Sequence, residues 1–262
     1  MLIVNTVYDL EPEIIDSLKF QFSLPFLPIG PSIPRAFLQD PNSEDRQVGA
    51  NPWKAADSME WLNEKDAMSV LYISFGSILV LSEEQIKELA LGIQQSGRNF
   101  VWVIRAPPGH GHIGEVLPEG FVEETKERGL VVDWCAQLEV LSHPSVGAFM
   151  SHCGWNSTLD ALSLGVPMVT VGVWTDQPTN SKFVSDVWKT GVRIRMGDDG
   201  VVGREETERC IRAAMELGSE EGKQLRNNAL KWKELLKSAA SEGGSSHSNL
   251  NDFVQEITSK AT

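Results

Sequence analysis

Three short stretches of this chain carry side chains suited to holding a small polar ligand. The first is Ser151-His152-Cys153-Gly154-Trp155-Asn156-Ser157-Thr158, which follows the apolar run Val146 to Met150. Gly154 lets the backbone approach a ligand closely. Asn156 or Ser157 can cap a helix that opens there. The free N–H groups of its first turn, with the Ser157 and Thr158 hydroxyls, would then form an anion site. His152 can add a ring N–H. The second stretch is Asp133-Trp134-Cys135-Ala136-Gln137, where a Trp at a strand end can stack on a planar base. The third is Trp174-Thr175-Asp176-Gln177-Pro178. A carboxylate beside an amide suits sugar hydroxyls, which both donate and accept. A fourth turn, Phe75-Gly76-Ser77, is commonplace by itself.

Each stretch also admits a plainer reading. The first is then an ordinary capped helix with a buried His and Trp, the second a Trp covering the core, and the third a turn with Asp176 as a cap. Two further patterns point away from a site. Gly109-His110-Gly111-His112-Ile113-Gly114 matches G-x-G-x-x-G after a strand. The dinucleotide fingerprint needs a helix to open within it, whereas Val116-Leu117-Pro118 follows here, so this reads as a solvated loop. His110 and His112 lack partners at metal-ligand spacing, and no metal site is expected.

The stretches need a scaffold. Val70 to Phe75 and Phe100 to Ile104 are continuous apolar runs, the pattern of strands buried on both faces. Leu130–Val132, Val146–Met150 and Pro167–Val171 add further strands. Between the first two, Ser82-Glu83-Glu84-Gln85 matches a capping box, and Ile86, Leu89, Ala90 and Ile93 follow with helical spacing. This rhythm predicts an α/β fold, a Rossmann-like parallel sheet with helices on both faces. In such a sheet ligands bind where strands end and helices begin, which is where all four stretches lie. Helices are expected over Glu11–Leu18, Glu205–Leu217 and Glu221–Ala240. A last amphipathic one carries Leu250, Phe253, Val254 and Ile257.

Composition narrows the function classes. The 262 residues carry a net charge of −13, a poor balance for binding a nucleic-acid backbone. Apolar runs fall far short of the ~18 residues of a membrane span. Three widely spaced cysteines, an odd number, fit a reducing compartment, and the opening Met1-Leu2-Ile3-Val4-Asn5-Thr6 has no secretory pattern. A cytoplasmic location is expected.

The motifs together say more than any one junction. Trp134-Cys135-Ala136-Gln137, Leu141-Ser142-His143-Pro144, Gly147-Ala148-Phe149, His152 to Ser157, Gly165-Val166-Pro167-Met168 and Asp176-Gln177 fall in one run of the chain. This run closely resembles the signature box of plant family 1 UDP-sugar glycosyltransferases. Ser74-Phe75-Gly76-Ser77, the region of Gly30-Pro31, and Asn5-Thr6 with Leu10-Glu11-Pro12 extend the resemblance. It implies the C-terminal domain of a GT-B fold, two Rossmann-like domains facing across a cleft. It implies Trp134 stacked on uracil, the Cys135 backbone at the base edge, and Gln137 and Asp160 at the ribose. His152, Gly154, Trp155, Asn156, Ser157 and Ser77 would surround the diphosphate. Trp174, Asp176 and Gln177 would line the sugar, and Gln177 is the residue type that goes with glucose in that family. The implied co-substrate is therefore UDP-glucose, with no cofactor, and the acceptor is a small plant-type molecule.

The chain departs from the family pattern. Ala136 and Gly172 stand where Pro is usual, and Asp160 where Glu is usual. Members are nearly twice this length. Their catalytic His and acceptor pocket lie in an N-terminal domain, and none of the five His residues here matches that position. No catalytic residue is therefore assigned to this chain. The expected organisation is a remnant of that domain over 1–22, a Pro-rich linker over 23–60, the UDP-sugar-binding domain over 61–241, and over 242–262 a helix that would pack on the N-terminal domain. Apolar surface is expected to be exposed on that helix and near Leu2–Val4. The functional expectation is glycosyl transfer with this chain supplying the donor-binding half. The alternative is a non-catalytic UDP-sugar-binding or regulatory short form that pairs with an N-terminal domain or a full-length relative.

Overall fold

In the computed structural model, residues 1–22, 25–39, 43, 45, 56–77 and 79–259 are described. Pro41, Gly49 and Pro52 of the expected linker lie outside them. Eight strands and eleven α-helices are present among these residues. The chain opens with β1 (Leu2–Val4), α1 (Pro12–Gln21), β2 (Phe26–Pro28), α2 (Arg35–Leu38) and α3 (Ala56–Asn63). An alternating series follows: β3 (Val70–Ser74), α4 (Glu83–Ser96), β4 (Asn99–Val103), α5 (Phe121–Thr125), β5 (Gly129–Val132), α6 (Gln137–Ser142), β6 (Val146–Ser151), α7 (Trp155–Leu164), β7 (Met168–Thr170), α8 (Gln177–Lys182) and β8 (Gly191–Arg193). Three helices close it: α9 (Arg204–Met215), α10 (Glu220–Ala240) and α11 (Ser245–Ser259).

The six strands β3 to β8 form one parallel sheet in the order β5-β4-β3-β6-β7-β8. Counted from β3, this is the 3-2-1-4-5-6 order of the doubly wound dinucleotide-binding fold, and it reverses direction between β3 and β6. The strand β3 is buried along its whole length. Leu71 and Ile73 face a core built with Ile86, Leu89 and Ile93 of α4 and Cys210, Ile211 and Ala214 of α9. Val70 and Tyr72 face the opposite core, with Val140 of α6, Leu159 and Leu162 of α7 and Leu236 of α10. This alternation is why the strand's sequence shows no polar side.

Local signals set the element ends. The Ser82 side chain caps α4 by accepting the Gln85 N–H at 3.2 Å, and Gly97 closes it at φ +68°. Gln85 does not complete the expected capping box. Its amide instead pairs with both backbone groups of Val202, at 2.9 and 3.1 Å, locking α4 to the segment before α9.

The N-terminal strand finds its neighbour inside the stretch read as a linker. It pairs in parallel with β2, inside the proline-rich stretch. Around this pair Leu2 N–H donates to the Pro25 carbonyl, and Ile29 N–H to Val4. Proline is tolerated because β2 pairs on one side only. The segment is docked on the main domain by two indoles. Trp155 Nε1 donates to the Asn5 carbonyl at 2.6 Å and Trp188 Nε1 to the Leu10 carbonyl at 3.0 Å. α11 lies against α10 and β2, where Asn249 donates to the Pro28 carbonyl at 2.7 Å. Leu250, Val254 and Ile257 on α11 are exposed, as are Leu2 and Ile3. No helix among the described residues is long and apolar enough to cross a membrane.

Candidate functional site

The carboxyl ends of β3 and β6 sit side by side at the point where strand order reverses. β3 runs out into Phe75-Gly76-Ser77 and β6 into His152-Cys153-Gly154, so the two turns meet. Gly76 has φ +74°, and a Cβ there would stand 2.8 Å from His152 Cε1. A Cβ on Gly154 would stand 2.5 Å from His152 Nε2. The imidazole therefore fits against two positions that must lack a side chain. Its Nδ1 is buried without a partner among the described residues. Burial lowers the His152 pKa, although the Asp176 carboxylate pulls the other way. The ring is neutral at pH 7 and can offer an N–H.

Gly154 is the N-cap of α7, with Trp155 as the first helical residue. This corrects the expectation that Asn156 or Ser157 caps the helix. They occupy its second and third positions, because Gly154 already has extended backbone angles. The first intrahelical bond is Thr158 N–H to the Gly154 carbonyl at 3.0 Å. The amides of Trp155, Asn156 and Ser157 are thus the free ones at a positive helix end. The Trp155 indole N–H is not free, since it holds Asn5. Asn5 also reaches Asn156 Oδ1, at 3.5 Å, and accepts the Ser32 N–H at 2.8 Å. Cys153 is held at φ +61°, which orients the loop before the helix.

A second cluster lies where β5 ends and α6 begins. Gln137 Nε2 donates to Asp160 Oδ2 at 2.7 Å and lies 3.2 Å from Ser157 Oγ. Tyr72 Oη donates to Gln137 Oε1 at 3.3 Å and also meets Cys135 Sγ at 3.3 Å. Gln137, Ser157 and Asp160 so form one half-buried polar group on three different helical turns. Burial pushes the Asp160 carboxyl up to about 6, with the Gln137 hydrogen bond pulling it down. Trp134, three residues before Gln137, is half-buried. The cysteines offer no nucleophile at neutral pH: burial raises Cys135 to about 11, Cys210 to about 12, and Cys153 further.

The third turn follows β7. Trp174 is exposed, and Thr175 stands at φ +53°. Gln177 is buried, and its Oε1 accepts the Trp174 N–H at 3.1 Å, leaving Nε2 as its available donor. Asp176 sits at the N-cap position of α8 but caps no backbone N–H; it takes the amide of Asn180 at 2.7 Å. Burial opposes ionisation of Asp176, yet hydrogen bonds from Thr175 and Asn180 outweigh it and hold its pKa low. Asn180 was not singled out from the sequence. The signal that could have found it is its spacing of four residues from Asp176 at a helix start. Tyr72 and Arg105, whose Nη2 donates to the Ser77 carbonyl at 2.9 Å, were missed for want of any local pattern, and Asn5 entered through the resemblance without a role at the site. A cavity of about 430 Å³ opens beside Ser77, between the ends of β3 and β4, lined also by Gly76, Ile104, Arg105 and His110. Among the described residues no three His, Cys, Asp or Glu side chains are grouped to hold a metal.

The site therefore combines a half-buried Trp, a helix N-terminus beside an imidazole, and two polar clusters, at a topological switch point. Residues 43–201 match the family model described as UDP-glucoronosyl and UDP-glucosyl transferase. The chain is 50% identical over 257 residues to UDP-glycosyltransferase 74E2 of Arabidopsis thaliana, covering 97% of this chain and 54% of the relative. It is 49% identical over 239 residues to mogroside I-E synthase of Siraitia grosvenorii, covering 89% and 50%. Among solved structures, Os79 from O. sativa in complex with UDP superposes with a TM-score of 0.84 at 35% identity, covering 97% of this chain and 55% of that one. UGT2 of Phytolacca americana, complexed with UDP-2fluoro-glucose and pterostilbene, gives 0.84 at 35%, covering 98% and 54%. The chain spans about half the length of the relatives it matches, and it belongs to the plant family 1 UDP-glycosyltransferases.

Proposed function

We propose that this chain is the C-terminal, donor-binding half of a UDP-sugar glycosyltransferase, and that the sugar is glucose. The observation that carries this reading is the meeting of the β3 and β6 turns at the switch point, with His152 packed between Gly76 and Gly154 ahead of the free amides of α7. A diphosphate there gains charge-assisted hydrogen bonds from the amides and His152, in the field of the helix dipole. Trp134 stacks on the uracil. Gln137 and Asp160 take the ribose hydroxyls, and Asp176 with the Gln177 amide takes the sugar. As the glycosidic bond to the phosphate breaks, negative charge grows on the departing UDP. The same amides stabilise it more in that state than in the ground state, which is how this half would contribute to rate.

Attack at the anomeric carbon needs a base to deprotonate the acceptor hydroxyl. His110 shares the cavity beside Ser77 but is paired with Glu83 and Glu115. His112 pairs with Glu115, His143 with Ser145 and Asn63, and His247 with Asn251. His152 is half-buried against the diphosphate position. The base and the acceptor pocket are proposed to lie in an N-terminal half beyond this chain. The exposed apolar residues of α11 and β1 suit a chain that pairs with such a partner.

The test is calorimetric titration of UDP and UDP-glucose into the chain, with Trp134→Ala as control. Binding of both, lost in the variant, is the expected result. Absence of binding by a demonstrably folded chain overturns the reading of a preformed donor site.

A further inference from the structure

Asn180 is buried, and its side-chain nitrogen makes two hydrogen bonds to groups on different parts of the site. It donates to the Cys153 carbonyl at 2.9 Å and to Asp176 Oδ2 at 2.7 Å. Both neighbours are acceptors, so the amide must present its NH₂ group to them, and both of its hydrogens are used. Cys153 belongs to the loop that opens α7, and Asp176 to the turn that opens α8. Each lies at or beside a backbone position that a side chain rarely adopts, Cys153 itself at φ +61° and Thr175 at φ +53°. Strained turns persist only where surrounding contacts hold them. The Cys153 loop has one further hydrogen bond from its own segment, Cys153 N–H to Ser151 Oγ at 3.2 Å. The Asp176 turn has Gln177 N–H to the Trp174 carbonyl at 3.1 Å. Among the described residues Asn180 is the side chain whose hydrogen bonds link the two turns.

We propose that Asn180 is a positioning residue that fixes the distance between the 152–154 loop and the 174–177 turn, and thereby sets how strongly the chain prefers a nucleotide diphosphate carrying a sugar over the bare nucleotide. This rests on the donor-site reading, in which the first turn meets the diphosphate and the second the sugar. A ligand that spans both turns depends on their spacing. One that touches only the first depends on it far less.

The experiment uses the intact chain and two variants. Asn180→Asp keeps the shape, removes both donors and sets a carboxylate against Asp176. Asn180→Ser is smaller, retains one donor and guards against a folding failure of the first; far-UV dichroism checks both. Amide hydrogen exchange of Cys153 and Gln177 is measured without ligand, and affinities for UDP and UDP-glucose by calorimetry. The expected result is that exchange at both amides rises together, by about tenfold, the scale of one lost hydrogen bond. The affinity for UDP-glucose falls about tenfold while that for UDP changes little. Adding Asp176→Asn to Asn180→Asp restores one bond with the roles exchanged; it should slow Gln177 again and leave Cys153 fast. Unchanged exchange at Cys153 in a folded variant overturns the proposal, and so does an equal fall for the two ligands. If the native chain binds neither ligand, the donor-site reading fails separately, and the exchange measurement still decides the bridge.

Discussion

Two turns of this protein follow buried strands of one sheet and carry glycines and histidines, yet they are built in opposite ways. The loop after β6 presses His152 between two glycines, holds Cys153 at positive φ and opens directly into α7. The loop after β4 carries the G-x-G-x-x-G pattern at Gly109–Gly114 but opens into only a short 3₁₀ turn, Ile113–Glu115. Its histidines are paired with carboxylates: half-buried His110 meets Glu83 at 3.1 Å and Glu115 at 3.4 Å, and exposed His112 meets Glu115 at 3.4 Å. Contacts of this surface kind hold a loop weakly. In the proposed reading, phosphate recognition follows from a helix start at the switch point, not from glycine spacing. The first loop has the helix without the pattern, and the second has the pattern without the helix.

The largest effect that would break this comparison is expected at Gly154. In Gly154→Val the new side chain takes the place of the His152 ring, whose Nε2 lies 2.5 Å from the Cβ position. The backbone angles there suit any residue, so the fold should persist. Displacing the imidazole and blocking the approach to the α7 amides removes charge-assisted hydrogen bonds of about 1.5–3 kcal/mol. UDP affinity measured by calorimetry should fall by about a hundredfold, and retention of native affinity would refute the anion cradle.

Next in size is the pH response of Asp160. Its folded-state carboxyl titrates at about 6, above the ordinary 3.8, because it is buried. A raised carboxyl pKa means the folded state holds the proton more tightly. The stabilisation is full below pH ~4 and is lost as pH rises through 6, a change of about 1–3 kcal/mol for a shift of this size. Urea midpoints taken from pH 4 to 7 should fall more steeply in the native chain than in Asp160→Asn. UDP-glucose binding should move the other way, tightening above pH 6 as the carboxylate becomes a full acceptor for ribose hydroxyls. The sugar nucleotide is the better probe, since the terminal phosphate of UDP titrates at about pH 6 itself. A pH-independent difference between native and Asp160→Asn chains would remove Asp160 from the site.

How much of this was legible in the sequence follows from how local each determinant is. The sheet strands are readable because burial on both faces leaves unbroken apolar runs such as Val70 to Ser74 and Val146 to Met150. Their order is not readable from those runs, and it is the order that places Gly76 beside His152. The β1–β2 pair was hidden because its second strand is Phe26-Leu27-Pro28, where proline signals a linker and the partner lies more than twenty residues away. Ser157 was found from the helix start it was expected to open, while the roles of Gln137 and Asp160 came from the resemblance. Their mutual hydrogen bonds were invisible, since they join three helical turns from two elements. The cap of α7 was misplaced because side-chain chemistry favours Asn or Ser, whereas close packing against His152 selects a glycine. Asn180 escaped notice because its two partners become neighbours only once β6 and β7 pair.

The smallest effect gives the sharpest form of the comparison. Gly76 and Gly109 both have positive φ, +74° and +97°, and each follows the end of a strand of the same sheet. Alanine at either site should cost about 1–2 kcal/mol from backbone strain alone, and thermal unfolding should register both. The surroundings differ. A Cβ on Gly76 meets the His152 ring at 2.8 Å, whereas among the described residues a Cβ on Gly109 meets nothing within 4 Å. Gly76→Ala should therefore weaken UDP binding in addition to lowering stability, and Gly109→Ala should lower stability with UDP affinity changed by less than about twofold. Gly111→Ala controls for the pattern itself, because among the described residues its close neighbour is the flexible end of Glu115 at 3.1 Å. A loss of UDP binding in Gly109→Ala or Gly111→Ala equal to that in Gly76→Ala would return the glycine pattern to the site and undo the distinction between the two turns.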